Sequence, residues 1–245
     1  MLSDKTIHLP RLYVSAVLST GESISLDQNQ AHYLRNVLRR SEGDEIRLFN
    51  GHDGEWRAEL TELAKKRASV ECKERLREQI GLKRPVHLYF APIAKKERLS
   101  FLIEKSVELG VTALHPVITE RTEARKIHMG RLRSQIIEAA EQCERLDLPI
   151  ISDARALPAI LAEWSPQISL FAALERMSGE APDLKEIHDK ISAGQEIAVL
   201  IGPEGGFSAA ETVLIEATKG VQVVSLGPII LRAETAALKA LSFLG

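Results

Sequence analysis

Near the C-terminus two stretches combine glycine with charged and hydroxyl side chains in a spacing that suits a binding site: IGPEGGFS at residues 201–208 and LGPIILRAETAAL at residues 226–238. Each follows an apolar run. Ile197, Ala198, Val199, Leu200 and Ile201 have the length and branching of a strand buried on both faces. Gly202, Gly205 and Gly206 then let backbone approach a ligand without interference from a Cβ. The run from Val221 to Leu226 ends at Gly227 and Pro228 and passes through Ile229, Ile230 and Leu231 to Arg232, Glu234 and Thr235. Taken singly, the first stretch reads equally as a binding loop or a strand-to-helix turn, because it lacks the G-x-G-x-x-G fingerprint of dinucleotide sites. Taken together, two strand ends that deliver loops to one crevice point to a small-molecule site.

Those loops need a scaffold. From residue 86 onward, strand signals at 86–91, 113–118, 169–173, 197–201 and 221–226 alternate with helix signals at 95–109, 129–145, 183–191, 209–218 and 234–244. The alternation predicts an α/β fold, a parallel sheet with helices on its faces. Periodicity alone draws it as an open doubly wound sheet, since knotted chains are rare. Ser208, followed three residues later by Glu211, is a capping box for the helix at 209–218. Upstream, short strands are expected at 11–14, 23–26, 45–50, 55–63 and 68–73, with a hairpin turn at 51–54 and one helix at 30–39. That pattern reads as a small β-barrel with an inserted helix. On the helix Ala31, Leu34, Val37 and Leu38 share an apolar face, and His32, Arg35 and Arg39 share another. Residues 76–85 lack an apolar pattern and are expected as a linker between domains at 1–75 and 86–245.

Bulk properties narrow the function classes only a little. The net charge of −2 over 245 residues does not signal a nucleic-acid partner, although Lys and Arg exceed Asp and Glu by three between residues 81 and 150 and fall five short after 150. Cys72 and Cys143 are far apart and outside any metal-ligand spacing, so neither a disulfide framework nor a metal site is expected. The first residues lack a signal-peptide core and no run approaches the ~20 apolar residues of a membrane helix, so a cytoplasmic protein without a membrane partner is expected.

The two C-terminal motifs, with AHYLRNVLR at 31–39, KKERLSFLIEKSVELGV at 95–111 and EAAEQCER at 138–145, resemble the RsmE family of 16S ribosomal RNA (uracil-N3)-methyltransferases in the SPOUT superfamily. The resemblance spans the chain. It departs at Ile229, where the family pattern has arginine, as in LGPRILR. It implies a C-terminal SPOUT domain with a deep trefoil knot, a PUA-like RNA-binding domain at the N-terminus, and a homodimer that builds its site across the interface. It also implies S-adenosylmethionine as cofactor, with 16S ribosomal RNA of the small ribosomal subunit as partner. The cofactor residues it designates are Gly202, Pro203, Glu204, Gly205, Gly206, Leu226, Gly227, Ile230, Leu231 and Ala236, with the apolar members packing around an adenine.

The implied reaction is methylation at uridine N3, whose imide proton must leave before nitrogen becomes a nucleophile. Arg232, permanently charged and planar, suits the developing anion on the flanking carbonyl oxygens. Glu234 is the leading protein base, with water as its competitor. Thr235 completes the catalytic set, and it and Glu234 also suit a helix start. Arg11, Arg35, Arg39, Arg40, Lys95, Lys96 and Arg98 are expected to grip RNA phosphates, the two lysines standing at a helix N-terminus where cations are otherwise unfavourable. Two other functions share these features: methylation of a different RNA nucleotide, and RNA-binding ribosome assembly without catalysis.

Overall fold

A computed structural model of the chain describes residues 4–81, 84–123, 127–174, 181–188, 191 and 194–244. The chain divides into two units, one formed by Met1–Gly81 with Ala140–Leu148 and the other by Leu82–Ala139 with Pro149–Gly245.

In the first unit the elements are α1 (Asp4–Ile7), β1 (Arg11–Tyr13), β2 (Ser23–Leu26), α2 (Gln28–His32), β3 (Glu45–Phe49), β4 (Glu55–Leu63) and β5 (Ala68–Arg77). The strands form one sheet in the order β1-β3-β4-β5-β2, with β1 parallel to β3 and the other pairs antiparallel. Alternating side chains such as Ile24, Ile46, Leu48, Ala58, Leu60 and Val70 point to a shared core that Leu34 completes. The β3–β4 turn is an Asx turn: Asn50 Oδ1 accepts from the backbone N–H groups of His52 at 3.0 Å and Asp53 at 2.9 Å. Gly54 follows at φ +84°, and a Cβ there would lie 2.1 Å from the Arg77 carbonyl oxygen, so only glycine fits.

Two expectations change here. The helix begins at Gln28, capped by Asp27 and Gln30, and loosens into a π turn over Tyr33–Val37. Arg39 lies beyond it at φ +54°, so it does not share a helical face with His32 and Arg35. The second change concerns the expected linker: β5 continues through Arg77, which pairs with Glu55, so residues 76 and 77 belong to the sheet.

The first unit also withdraws Arg11 from the phosphate-gripping set. Its side chain is 3% exposed and its Nε lies 2.5 Å from an oxygen of Glu55, which is fully buried. Its remaining nitrogens donate to the carbonyls of Ala140 and Arg145, each at 2.6 Å, and its guanidinium lies over the Phe49 ring. Arg77 reaches the second Glu55 oxygen at 2.7 Å, and Arg47 pairs with Glu144 at 2.8 Å. A buried charge persists only with partners on every side, and these partners leave no room for a phosphate.

The second unit contains β6 (Val86–Phe90), α3 (Lys96–Glu108), β7 (Ala113–Ile118), α4 (Met129–Gln142, whose last three residues belong to the first unit), β8 (Ile150–Ile151), β9 (Arg155–Ala156), α5 (Leu157–Ala162), β10 (Ser169–Ala173), α6 (Leu184–His188), β11 (Ile197–Ile201), α7 (Ala209–Ala217), β12 (Val221–Val224) and α8 (Ala233–Leu244). The strands are parallel in the order β12-β10-β11-β6-β7-β8, with β9 pairing beside β7. All five residues of β11 are buried, as a central parallel strand requires. The sequence pattern missed β8 and β9 because two-residue strands have no period to detect. It missed α5 because Pro158, which fits the first turn of a helix, reads as a break. After edge strand β12 the chain returns to pack α8 on α3, β11 and β6. In a simple open sheet the last helix would cover the strand before it, so this return is in keeping with the path the resemblance implies.

A polar cluster lies on β6 and β7. His87 and His115 stack, with His87 Nδ1 and His115 Nε2 3.1 Å apart. His115 Nδ1 is 3.0 Å from Ser152 Oγ, His87 Nε2 is 3.0 Å from Glu196, and the Tyr89 ring stacks on His115. Burial, reinforced by the neighbouring His87, pushes His115 down from 6.5 to about 4.

Candidate active site

Parallel strands all point the same way, so the loops leaving β10, β11 and β12, which are neighbours in the sheet, open on one edge. A cleft of about 360 Å³ lies there. Ala173 and Leu174 come from the end of β10, residues 201–207 from the loop after β11, and residues 224–231 from the loop after β12, joined by Ala233 and Ala236 of α8. Every residue expected on the cofactor lines it: Gly202, Pro203, Glu204, Gly205, Gly206, Leu226, Gly227, Ile230, Leu231 and Ala236.

The glycines have different reasons for being there. Gly202 makes room for Phe207, whose ring would lie 2.8 Å from a Cβ at that position. Gly206 has φ +69° and Gly227 has φ +104°, conformations that favour glycine. Gly206 N–H closes the turn on the Pro203 carbonyl at 2.8 Å. The loop then enters α7 through the expected capping box, with Ser208 Oγ accepting from Glu211 N–H at 3.3 Å and Glu211 accepting from Ser208 N–H at 2.9 Å.

A turn that the sequence did not single out completes the wall. Glu211 uses its other oxygen to accept from Glu120 N–H at 2.8 Å, which ties residues 119–122 to the start of α7. Beside it, Arg121 donates to the Gly205 carbonyl at 2.7 Å and lines the cleft. Nothing in its spacing marks Arg121; the only available signal was its position just past the end of a parallel strand.

The expected catalytic residues are not among the described residues that line the cleft. Arg232 and Thr235 are exposed, and Arg232 lies between Leu231 and Ala233, which both line it. Glu234 is buried, and its two oxygens accept from Arg98 Nε at 2.7 Å and Nη2 at 2.5 Å. Hydrogen bonding to Arg98 is the main reason its carboxyl is held below the usual range. That pairing makes Glu234 a weak base. Ile229 and Ile230 are 69% and 66% exposed. Of the basic set, Arg35 and Arg39 are exposed and Arg40 half-buried in the first unit, while Lys95 and Lys96 are exposed at the start of α3 in the second.

A family model described as an RNA methyltransferase domain matches residues 81–245, and one described as an RNA methyltransferase PUA domain matches residues 26–72. Ribosomal RNA small subunit methyltransferase E of Rickettsia conorii is 35% identical over 95% of this chain and 93% of its own length. The chain belongs to the RsmE family of RNA methyltransferases. The Synechocystis member is 34% identical over 95% of this chain and 76% of its own. Among solved structures, the RsmE of Neisseria gonorrhoeae bound to S-adenosyl methionine superposes with a TM-score of 0.83 at 32% identity, covering 96% of each chain. A Legionella pneumophila methyltransferase in complex with the same cofactor also gives 0.83, at 31% identity over 97% of each chain. This RsmE chain thus shares the parallel-sheet SPOUT fold and the N-terminal PUA-like domain with its relatives.

Proposed function

We propose that this chain transfers a methyl group from S-adenosylmethionine to N3 of a uridine in 16S ribosomal RNA of the small ribosomal subunit, acting in the cytoplasm as a homodimer with a knotted catalytic domain. The observation that carries the reading is the cleft itself, in which both C-terminal motifs meet at the ends of three adjacent parallel strands. Its size falls within the range of small-molecule sites. Its walls suit a nucleoside joined to an amino acid: Leu226, Ile230 and Leu231 offer apolar surface to a flat base, and the glycine-bearing loops present backbone to polar edges.

When bound, S-adenosylmethionine supplies an electrophilic methyl group on a sulfonium whose departure leaves a neutral thioether. The chain's own residues orient and discharge. Arg232 stabilises the negative charge that spreads over the uracil carbonyl oxygens as N3 gives up its proton. Glu234 is engaged by Arg98, so the proton passes to water. The first unit, with Arg35, Arg39 and Arg40, holds RNA through phosphates, and Lys95 and Lys96 add contacts from the second. Thr235, exposed in the first turn of α8, completes the proposed catalytic set.

Ile229 favours a second reading, an RNA-binding assembly factor without catalysis, because an apolar side chain stands at the cleft where the family pattern has a cation. One experiment separates them. Purified protein and labelled S-adenosylmethionine are incubated with small ribosomal subunits lacking base methylation, and the digested RNA is analysed by mass spectrometry. N3-methyluridine is expected. Another methylated nucleoside would keep the methyltransferase and change its target, and cofactor binding without any product would favour the second reading.

A further inference from the structure

We propose that Arg98, expected from sequence to touch RNA, is instead a positioning residue that locks the two cofactor loops to each other. Its guanidinium commits each nitrogen to a carboxylate. Nε and Nη2 hold Glu234 at 2.7 and 2.5 Å, and Nη1 holds Glu204 at 2.8 Å. Glu204 lies in the loop after β11 and lines the cleft. Glu234 lies in the first turn of α8, two residues beyond Arg232. Arg98 itself stands in the first turn of α3, on which α8 packs. One side chain on a third element therefore bridges the motif that surrounds the cofactor and the motif that carries the cation for the base.

The geometry excludes the simpler role. A phosphate contact needs outward-facing donors, whereas the Arg98 side chain is only 21% exposed and its fork is occupied by two anions. The arrangement also requires arginine, because a lysine ammonium cannot present a planar fork to one carboxylate while reaching a second. Ordering the loop around Glu204 consequently orders Arg98, Glu234 and the start of α8, so Arg232 is set in place by the same event that fills the cleft. The inference rests on the methyltransferase reading above.

The test is titration of S-adenosylmethionine into the full chain and into Arg98→Lys, Arg98→Ala and Glu204→Gln, with KM for small subunits and thermal melting measured alongside. Arg98→Lys is expected to weaken cofactor binding about tenfold, with KM for RNA unchanged. Arg98→Ala is expected to cost more, and combining it with Glu204→Gln is expected to add less than the sum of the two. Glu204 is well exposed, so its variant retains the fold and keeps the test open if Arg98→Ala melts early. Unchanged cofactor affinity in folded variants would overturn the proposal, as would a raised KM for RNA with cofactor binding intact. If the parent chain fails to bind S-adenosylmethionine, the functional reading falls; if the parent binds and the variants bind equally, only the role of Arg98 falls.

Discussion

Arg11 in the first unit and Arg98 in the second solve the same electrostatic problem with opposite consequences. Each is a single guanidinium that gathers oxygen acceptors from segments distant in sequence. Arg11 is sealed in, with a fully buried carboxylate and backbone carbonyls as partners. Arg98 keeps a fifth of its side chain in solvent, and one of its carboxylates, Glu204, is 45% exposed. Burial decides the difference. The sealed cluster is costly to disturb and has no access to a ligand, so it serves the fold. The half-open cluster keeps one carboxylate, Glu204, within reach of solvent, and that end borders a cleft, so it serves the site.

The contrast is sharpest where a charge is removed from the sealed cluster. Arg11→Ala would leave Glu55 buried with a poorer partner set and should lower unfolding free energy by about 3–5 kcal/mol in urea, with cofactor affinity of the folded fraction unchanged. A loss of affinity without loss of stability would erase the distinction. Arg232→Ala should do the reverse, lowering turnover about a hundredfold with little change in melting temperature or cofactor affinity. An unchanged rate at saturating substrates would remove Arg232 from the reaction.

The histidine pair supplies an intermediate case, a polar cluster whose effect depends on pH. His115 stays neutral in the fold to about pH 4, against 6.5 ordinarily. As pH falls from 6.5 toward 4 the unfolded chain takes up a proton that the folded chain refuses, so stability drops through that window and levels off below it. His115→Asn should flatten this decline by on the order of 2 kcal/mol, read from urea unfolding at several pH values. A parent chain equally stable at pH 4.5 and 6.5 would contradict it. The smallest effect belongs to exposed charge. Arg35→Gln combined with Arg39→Asn, the latter tolerant of the left-handed backbone at that position, should weaken RNA binding about tenfold and reduce the salt slope by about two. An unaltered slope would assign those side chains to solvent.

What was legible in the sequence was local. Ser208 and Glu211 are three residues apart, and the capping box they spell forms as expected. Strands at 113–118, 169–173 and 197–201 match because apolar runs bounded by turn residues carry their own signal. The residues singled out in the two motifs also meet in one cleft, because both motifs sit directly after strands and parallel strands must deliver their loops to one edge. Arg121 was missed because its importance depends on the Gly205 carbonyl, 84 residues away. Arg11 was misassigned because an arginine at the start of a strand looks the same in sequence whether it faces water or a buried glutamate.

By itself, then, the sequence determined most of the longer elements, the two glycine-bearing loops and the family to which they belong, all of which depend on side-chain type and short-range spacing. Tertiary structure alone decided that β10 lies between β11 and β12 and so forms the floor of the cleft. It also decided that Glu234 pairs with Arg98 across 136 residues. The physical reason is that propensity and periodicity act over a few residues, whereas desolvation and charge pairing are set by whichever distant groups the packed chain brings within about 3 Å.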